Sequence, residues 1–128
     1  MMPRTLGRIC TMGYYSDFDI DITIKDVSEA TVKDIVERTF GEWIAGQLRL
    51  QSADHRVFVS GSIYDTKWYR FTEDVNAFRN AITEAGGKFA WGELARQGEE
   101  ASDGERFGVE DGRLVRQVTQ VTWVTAED

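Results

Sequence analysis

The sequence holds one cysteine (Cys10), one proline (Pro3) and one histidine (His55). A lone cysteine cannot close an intrachain disulfide, so a packed core must hold the fold, and a reducing compartment is the simplest setting. With its proline at position 3, the folded part contains no cis-proline turn. One histidine and one cysteine cannot fill the usual His/Cys ligand set of a zinc site. His55 falls in a predicted turn, Ser52 to His55, and no serine sits in a Gly-x-Ser-x-Gly segment that it could activate. No apolar run approaches the roughly 20 residues of a membrane span. Arg4 and Arg8 are not followed by the apolar stretch of a secretory leader. Gly86-Gly87-Lys88 closes a predicted helix, whereas phosphates favour helix N-termini, so no phosphate loop is expected. No cofactor and no resident metal follow from these absences.

What is present describes a globular domain. The 128 residues are 41% hydrophobic and 29% charged. A chain of this size buries roughly two-thirds of its unfolded surface, enough for one core. Acidic residues number 22 against 15 basic ones, a net charge of −7. Such a field disfavours direct binding to nucleic acid or to an anionic membrane. It speeds encounter with a basic protein surface.

Residues 1–11 read as an N-terminal extension, and residues 12–128 as a single α+β domain. Phe18, Ile20, Ile22 and Ile24 alternate with Asp17, Asp19, Asp21 and Thr23. Period two places the isoleucines on one sheet face and the aspartates on the other. Ser28 is a good N-cap for a helix whose apolar stripe is Val32, Ile35, Val36, Phe40, Trp43 and Ile44, with Gly46 as its stop. Two short strands follow, around Leu48–Leu50 and Val57–Ile63. Thr72 is the expected cap of a second helix, with Val75, Phe78, Ala81, Ile82 and Ala85 on one face and Gly86-Gly87 at its end. Phe89, Trp91 and Leu94 mark a fourth strand. Gly98 to Gly104 is an acidic loop. Asp111-Gly112 is the strongest hairpin-turn dipeptide in the chain. A last strand is expected from about Leu114 to Val124, burying Val115, Val121 and Trp123. The order β-α-β-β-α-β plus a C-terminal hairpin predicts a ferredoxin-like antiparallel sheet with two helices on one face. Whether the hairpin extends the sheet or folds over its open face is left open.

Three residue groups invite a functional reading. Asp17, Asp19 and Asp21 stand about 7 Å apart along one strand face, too far to chelate one small cation unaided. Between Glu93 and Asp111, seven carboxylates (among them Glu99, Glu100, Asp103 and Glu105) meet only Arg96 and Arg106, a local balance of −5. Acid–base catalysis would need two of them with widely separated pKa values. A solvated acidic loop or a binding surface is the simpler reading. Lys67-Trp68-Tyr69-Arg70 combines cations with aromatics, as binding anchors do. Its plainer reading is a Trp68 packed beneath the helix that follows. Tyr15, Phe58 and Tyr64 could stack RNA bases on the open face, but Asp17, Asp19 and Asp21 would repel the phosphates.

Four stretches carry a resemblance when taken together. They are Met12-Gly13-Tyr14-Tyr15; Lys67-Trp68-Tyr69 with Glu73-Asp74; Gly98-Glu99-Glu100 with Asp103 and Arg106; and Asp111-Gly112. In this order the chain resembles an uncharacterised group of small phage and actinobacterial proteins beginning Met-Gly-Tyr-Tyr. The likeness covers most of residues 12–124 and marks Met12 as the group-like start. It implies a source and no catalytic residue. The expectation is a non-enzymatic accessory protein of the host cytoplasm that binds a host protein with a basic surface, such as a nucleic-acid-binding defence complex. Its contacts would be Asp17, Asp19, Asp21, Trp68, Tyr69, Glu99, Glu100, Asp103 and Glu105. The alternatives are a divalent-cation-dependent enzyme or ligand-binding domain using the 98–105 loop, and a self-associating structural domain.

Overall fold

A computed structural model describes residues 15–100 and 103–118. The expected extension at 1–11 and the expected burial of Val121 and Trp123 lie outside these residues. Strand β1 (Ser16–Lys25) alternates buried and exposed positions as its sequence predicts. Helix α1 (Glu29–Phe40) is capped by Ser28, whose side chain accepts the Thr31 N–H at 3.2 Å. Gly41 ends it, with φ 88° and ψ 160°. That backbone breaks the helical phase, so the short helix α2 (Glu42–Gly46) buries Ile44 but leaves Trp43 61% exposed. Trp43 therefore stands outside the apolar stripe expected for it.

Strands β2 (Arg49–Ala53) and β3 (Arg56–Thr66) meet at Asp54-His55, both left-handed (φ 52° and 65°), as a type I′ turn requires. Helix α3 (Phe71–Glu84) begins before the expected cap. Arg70 holds the N-cap position without a side-chain cap bond, and Thr72 lies within the first turn. Strand β4 (Lys88–Gln97) precedes β5 (Gly104–Glu110) and β6 (Arg113–Val118). Asp111 and Gly112 join the last two with φ 51° and 79°.

The described elements form an α+β fold with three helices and one six-stranded antiparallel sheet, ordered β2-β3-β1-β4-β5-β6. The aspartate strand is central, paired with β3 on one side and β4 on the other. The last two strands continue the sheet beyond β4 and do not fold across its open face.

One sheet face and the helices share a single core. Phe18, Ile20, Ile22 and Ile24 join Val32, Ile35 and Val36 of α1, Phe71, Val75, Phe78 and Ile82 of α3, and Leu94, Phe107 and Leu114 from the later strands. At about 25 cal/mol per Å², each fully buried side chain of this kind is worth roughly 1.5–3 kcal/mol. Trp68 belongs to this core. It is 8% exposed, its ring lies 5.0 Å from Phe18 and 5.1 Å from both Phe40 and Phe71, and its Nε1 donates to Asp74 Oδ2 at 2.8 Å. It is a core aromatic with a satisfied N–H, and it leaves the set of expected surface contacts. No described helix is long and apolar enough to cross a membrane.

Candidate functional site: the open face of the sheet

The face opposite the helices is built by parity and register. On β1 it presents Asp17, Asp19 and Asp21, all exposed, and then Thr23. On β3 the partners of Thr23, Asp21 and Asp19 are Phe58, Ser60 and Ser62. On β4 they are Trp91, Glu93 and Ala95, and Gln97 faces Asp17. Asp21 and Glu93 therefore stand directly opposite one another, a like-charge cross-strand pair that costs stability. Asp19 accepts the Ser62 hydroxyl at 2.6 Å, and Asp17 accepts the Asp65 backbone N–H at 3.0 Å. None of the three aspartates forms a salt bridge among the described residues.

Cations surround the stripe without closing it. Arg106 lies 3.6 Å from Glu93, with both side chains about half exposed, and its Nε donates to Gln117 at 2.6 Å. Arg49 reaches the same face opposite Ser60, on the edge strand. A shallow trough of about 540 Å³ lies along the Asp17–Asp19 end of the stripe, lined also by Glu93, Gln97, Arg106 and Gln117. Exposed aromatics stand at both ends. Trp91 (63% exposed) and Phe58 flank Thr23 at one, and Tyr15 and Tyr64 lie toward the other. Lys67 Nζ sits 5.0 Å from the Tyr15 ring centre, a cation–π distance.

Trp91 lies on the strand expected from Phe89, Trp91 and Leu94. It faces out because the β1–β4 register shifts between Thr23 and Ile24, inserting Ala90 as an extra residue. Gly92 permits this. Its φ is 112°, and a Cβ there would fall 1.9 Å from the Asp21 carbonyl oxygen. Such a shift is invisible to a reading by strict alternation.

The acidic loop divides into two parts. Glu99 and Glu100 are exposed beyond the end of β4, and the Glu100 carbonyl accepts from Gln97 Nε2 at 2.8 Å. Asp103 and Glu105 are held from within. Arg96, on the helix side of β4, donates Nη2 to Asp103 Oδ1 at 2.9 Å, Nε to Glu105 Oε1 at 3.2 Å and Nη1 to Ser16 Oγ at 3.3 Å. Arg116 Nε reaches Glu105 Oε2 at 2.9 Å, and the Thr72 hydroxyl donates to the same carboxylate. The Glu105 side chain is only 8% exposed. Burial works against the charge of Arg96, but the hydrogen bonds and charges of Asp103 and Glu105 outweigh it, and its pKa lies above the ordinary arginine value. Asp103 and Glu105 are thus structural carboxylates, and Glu105 does not belong to an exposed binding surface.

Of the remaining sequence candidates, Tyr69 is 67% exposed beside the buried Trp68, on the loop between β3 and α3. His55 stands exposed in the β2–β3 turn. Among the described residues no group of three or more His, Cys, Asp or Glu is placed to hold a metal ion. Comparison with protein-family models, with curated proteins and with solved structures finds no match to this chain.

Proposed function

We propose that this chain is a non-enzymatic binding protein of the phage accessory type, docking a basic surface of a host protein onto the open sheet face. In this reading β1 to β4 with α1 and α3 are a ferredoxin-like unit widened by β5 and β6. The observation that carries the proposal is the run Asp17, Asp19 and Asp21, exposed on the central strand and without a cationic partner among the described residues. Carboxylates that repel one another on a sheet face weaken the fold, and a cationic partner relieves that repulsion. Glu93, Glu99 and Glu100 extend the same negative field. A nucleic-acid-binding defence complex offers surface chemistry of this kind, since it holds phosphates with lysine and arginine.

A cation-dependent site in the 98–105 loop draws less support, because Asp103 and Glu105 already spend their charge on Arg96 and Arg116. The docking proposal is tested by capture from host extract across a salt series. The wild-type chain, the triple variant Asp17→Lys/Asp19→Lys/Asp21→Lys and the helix-surface control Asp34→Lys are compared. A protein retained by the wild type and the control at low salt should be lost from the triple variant. Equal retention by all three would remove the open face as the docking surface.

A further inference from the structure

The acidic stripe ends on an aromatic, and that junction narrows the chemistry of the occupant. Asp21 and Glu93 face each other across the β1–β4 pairing. Trp91 lies two residues before Glu93 on the same face of the same strand, opposite Thr23, and is 63% exposed. Thr23, its cross-strand neighbour, is 7% exposed. Phe58 borders it from β3, about 10 Å from Trp91 across two strand spacings. Arg106 is loosely set against Glu93, and beyond Thr23 the next row of this face is basic, Lys25 pairing in register with Arg56 and Lys88, so the acidic stripe lies on one side of Trp91 only.

Resting on the docking reading above, we infer that the face takes an extended, arginine-bearing segment of its partner, with one guanidinium seated against Trp91 and the Asp21–Glu93 pair. The chemistry selects arginine over lysine. A planar guanidinium can lie on an indole ring while its edge donates two parallel hydrogen bonds to carboxylates. An ammonium is a compact point charge that cannot present a flat face and a fork together. The spacing selects an extended segment. Asp17, Asp19 and Asp21 repeat at two residues of β-strand, about 6.7 Å, and alternate side chains of an extended peptide repeat at the same distance. Each cation then meets one carboxylate of the stripe, the last beside Trp91.

The probe is a blocked five-residue peptide with arginine at its first, third and fifth positions and threonine between. It is titrated calorimetrically into the full chain at low ionic strength beside its lysine counterpart. The arginine peptide should bind roughly fivefold to tenfold more tightly, about the worth of the additional hydrogen bond that only a stacked guanidinium can make. Trp91→Ala should erase that preference. Because Trp91 is exposed, thermal unfolding of the variant should match the wild type, which separates lost contact from lost fold. Equal binding of the two peptides, unaffected by Trp91→Ala, overturns the arginine assignment and leaves the acidic-face reading standing. Binding that persists in Asp17→Asn/Asp19→Asn/Asp21→Asn overturns both. A peptide with its three arginines in succession that binds equally well overturns the extended register.

Discussion

Single residues here act through what their backbone or ring permits. Gly92 lets β4 pass so close to β1 that no side chain fits, and in doing so turns Trp91 toward solvent. Gly92→Ala combines a left-handed backbone with a collision against fixed main chain. It should cost about 3 kcal/mol or more in denaturant unfolding, summing strain and overpacking of 1–3 kcal/mol each. A smaller loss would mean that the register shift can relax. Trp68 shows the opposite economy. Its ring fills the gap among Phe18, Phe40 and Phe71 while its one polar atom finds Asp74, so a residue that looks like a surface anchor in sequence is spent on the interior.

At the scale of elements, the Arg96 cluster ties β4, the loop after it, β5, β6 and the first turn of α3 into one unit. Arg96→Met leaves the enclosed Glu105 carboxylate with Arg116 and Thr72 alone and frees Asp103. It should destabilise by about 2–4 kcal/mol. Replacing Glu105 as well, in Arg96→Met/Glu105→Met, should recover part of that loss by removing an enclosed charge that has lost one of its two arginines. A double variant less stable than the single one would contradict this account. Because the Arg96 pKa is raised, its contribution is complete below the unfolded arginine value and fades only as pH climbs through the folded one, so it is constant across the ordinary pH range. The strength of the local signals decided how much of this was legible. Phe18 to Ile24 announced both faces of β1 because alternation is the strand period itself. Ser28 and Asp111-Gly112 announced a cap and a turn because few residue types serve there. Trp43 was misplaced because the backbone irregularity at Gly41 changes the helical phase after it, and the shift at Ala90 likewise hid which face Trp91 takes. Arg96 entered the sequence reading only as a cation in the local charge balance, since an arginine within a strand gives no local sign that it turns inward to meet carboxylates seven and nine residues away.

For the whole molecule, the net charge of −7 is unevenly invested. Some carboxylates hold the structure together, while Asp21 faces Glu93 across the β1–β4 pairing. Asp21→Asn should therefore raise stability by roughly 0.2–1 kcal/mol at low ionic strength, the usual size of a cross-strand charge effect. The gain should shrink as salt screens the pair. Thermal unfolding at two salt concentrations reads both, and a loss of stability at low salt would mean that the Asp21 carboxylate is a net stabiliser of the sheet. The central position of β1 also governs how the chain matures. Its second neighbour, β4, is translated some seventy residues after it. A nascent polypeptide emerging from the ribosome must therefore hold an isoleucine-rich ribbon with one flank unzipped until Lys88–Gln97 has cleared the exit. Distant pairings of this kind form slowly and expose apolar surface meanwhile. The aspartates alternating with those isoleucines would then act as built-in gatekeepers, keeping the waiting ribbon from sticking to its neighbours.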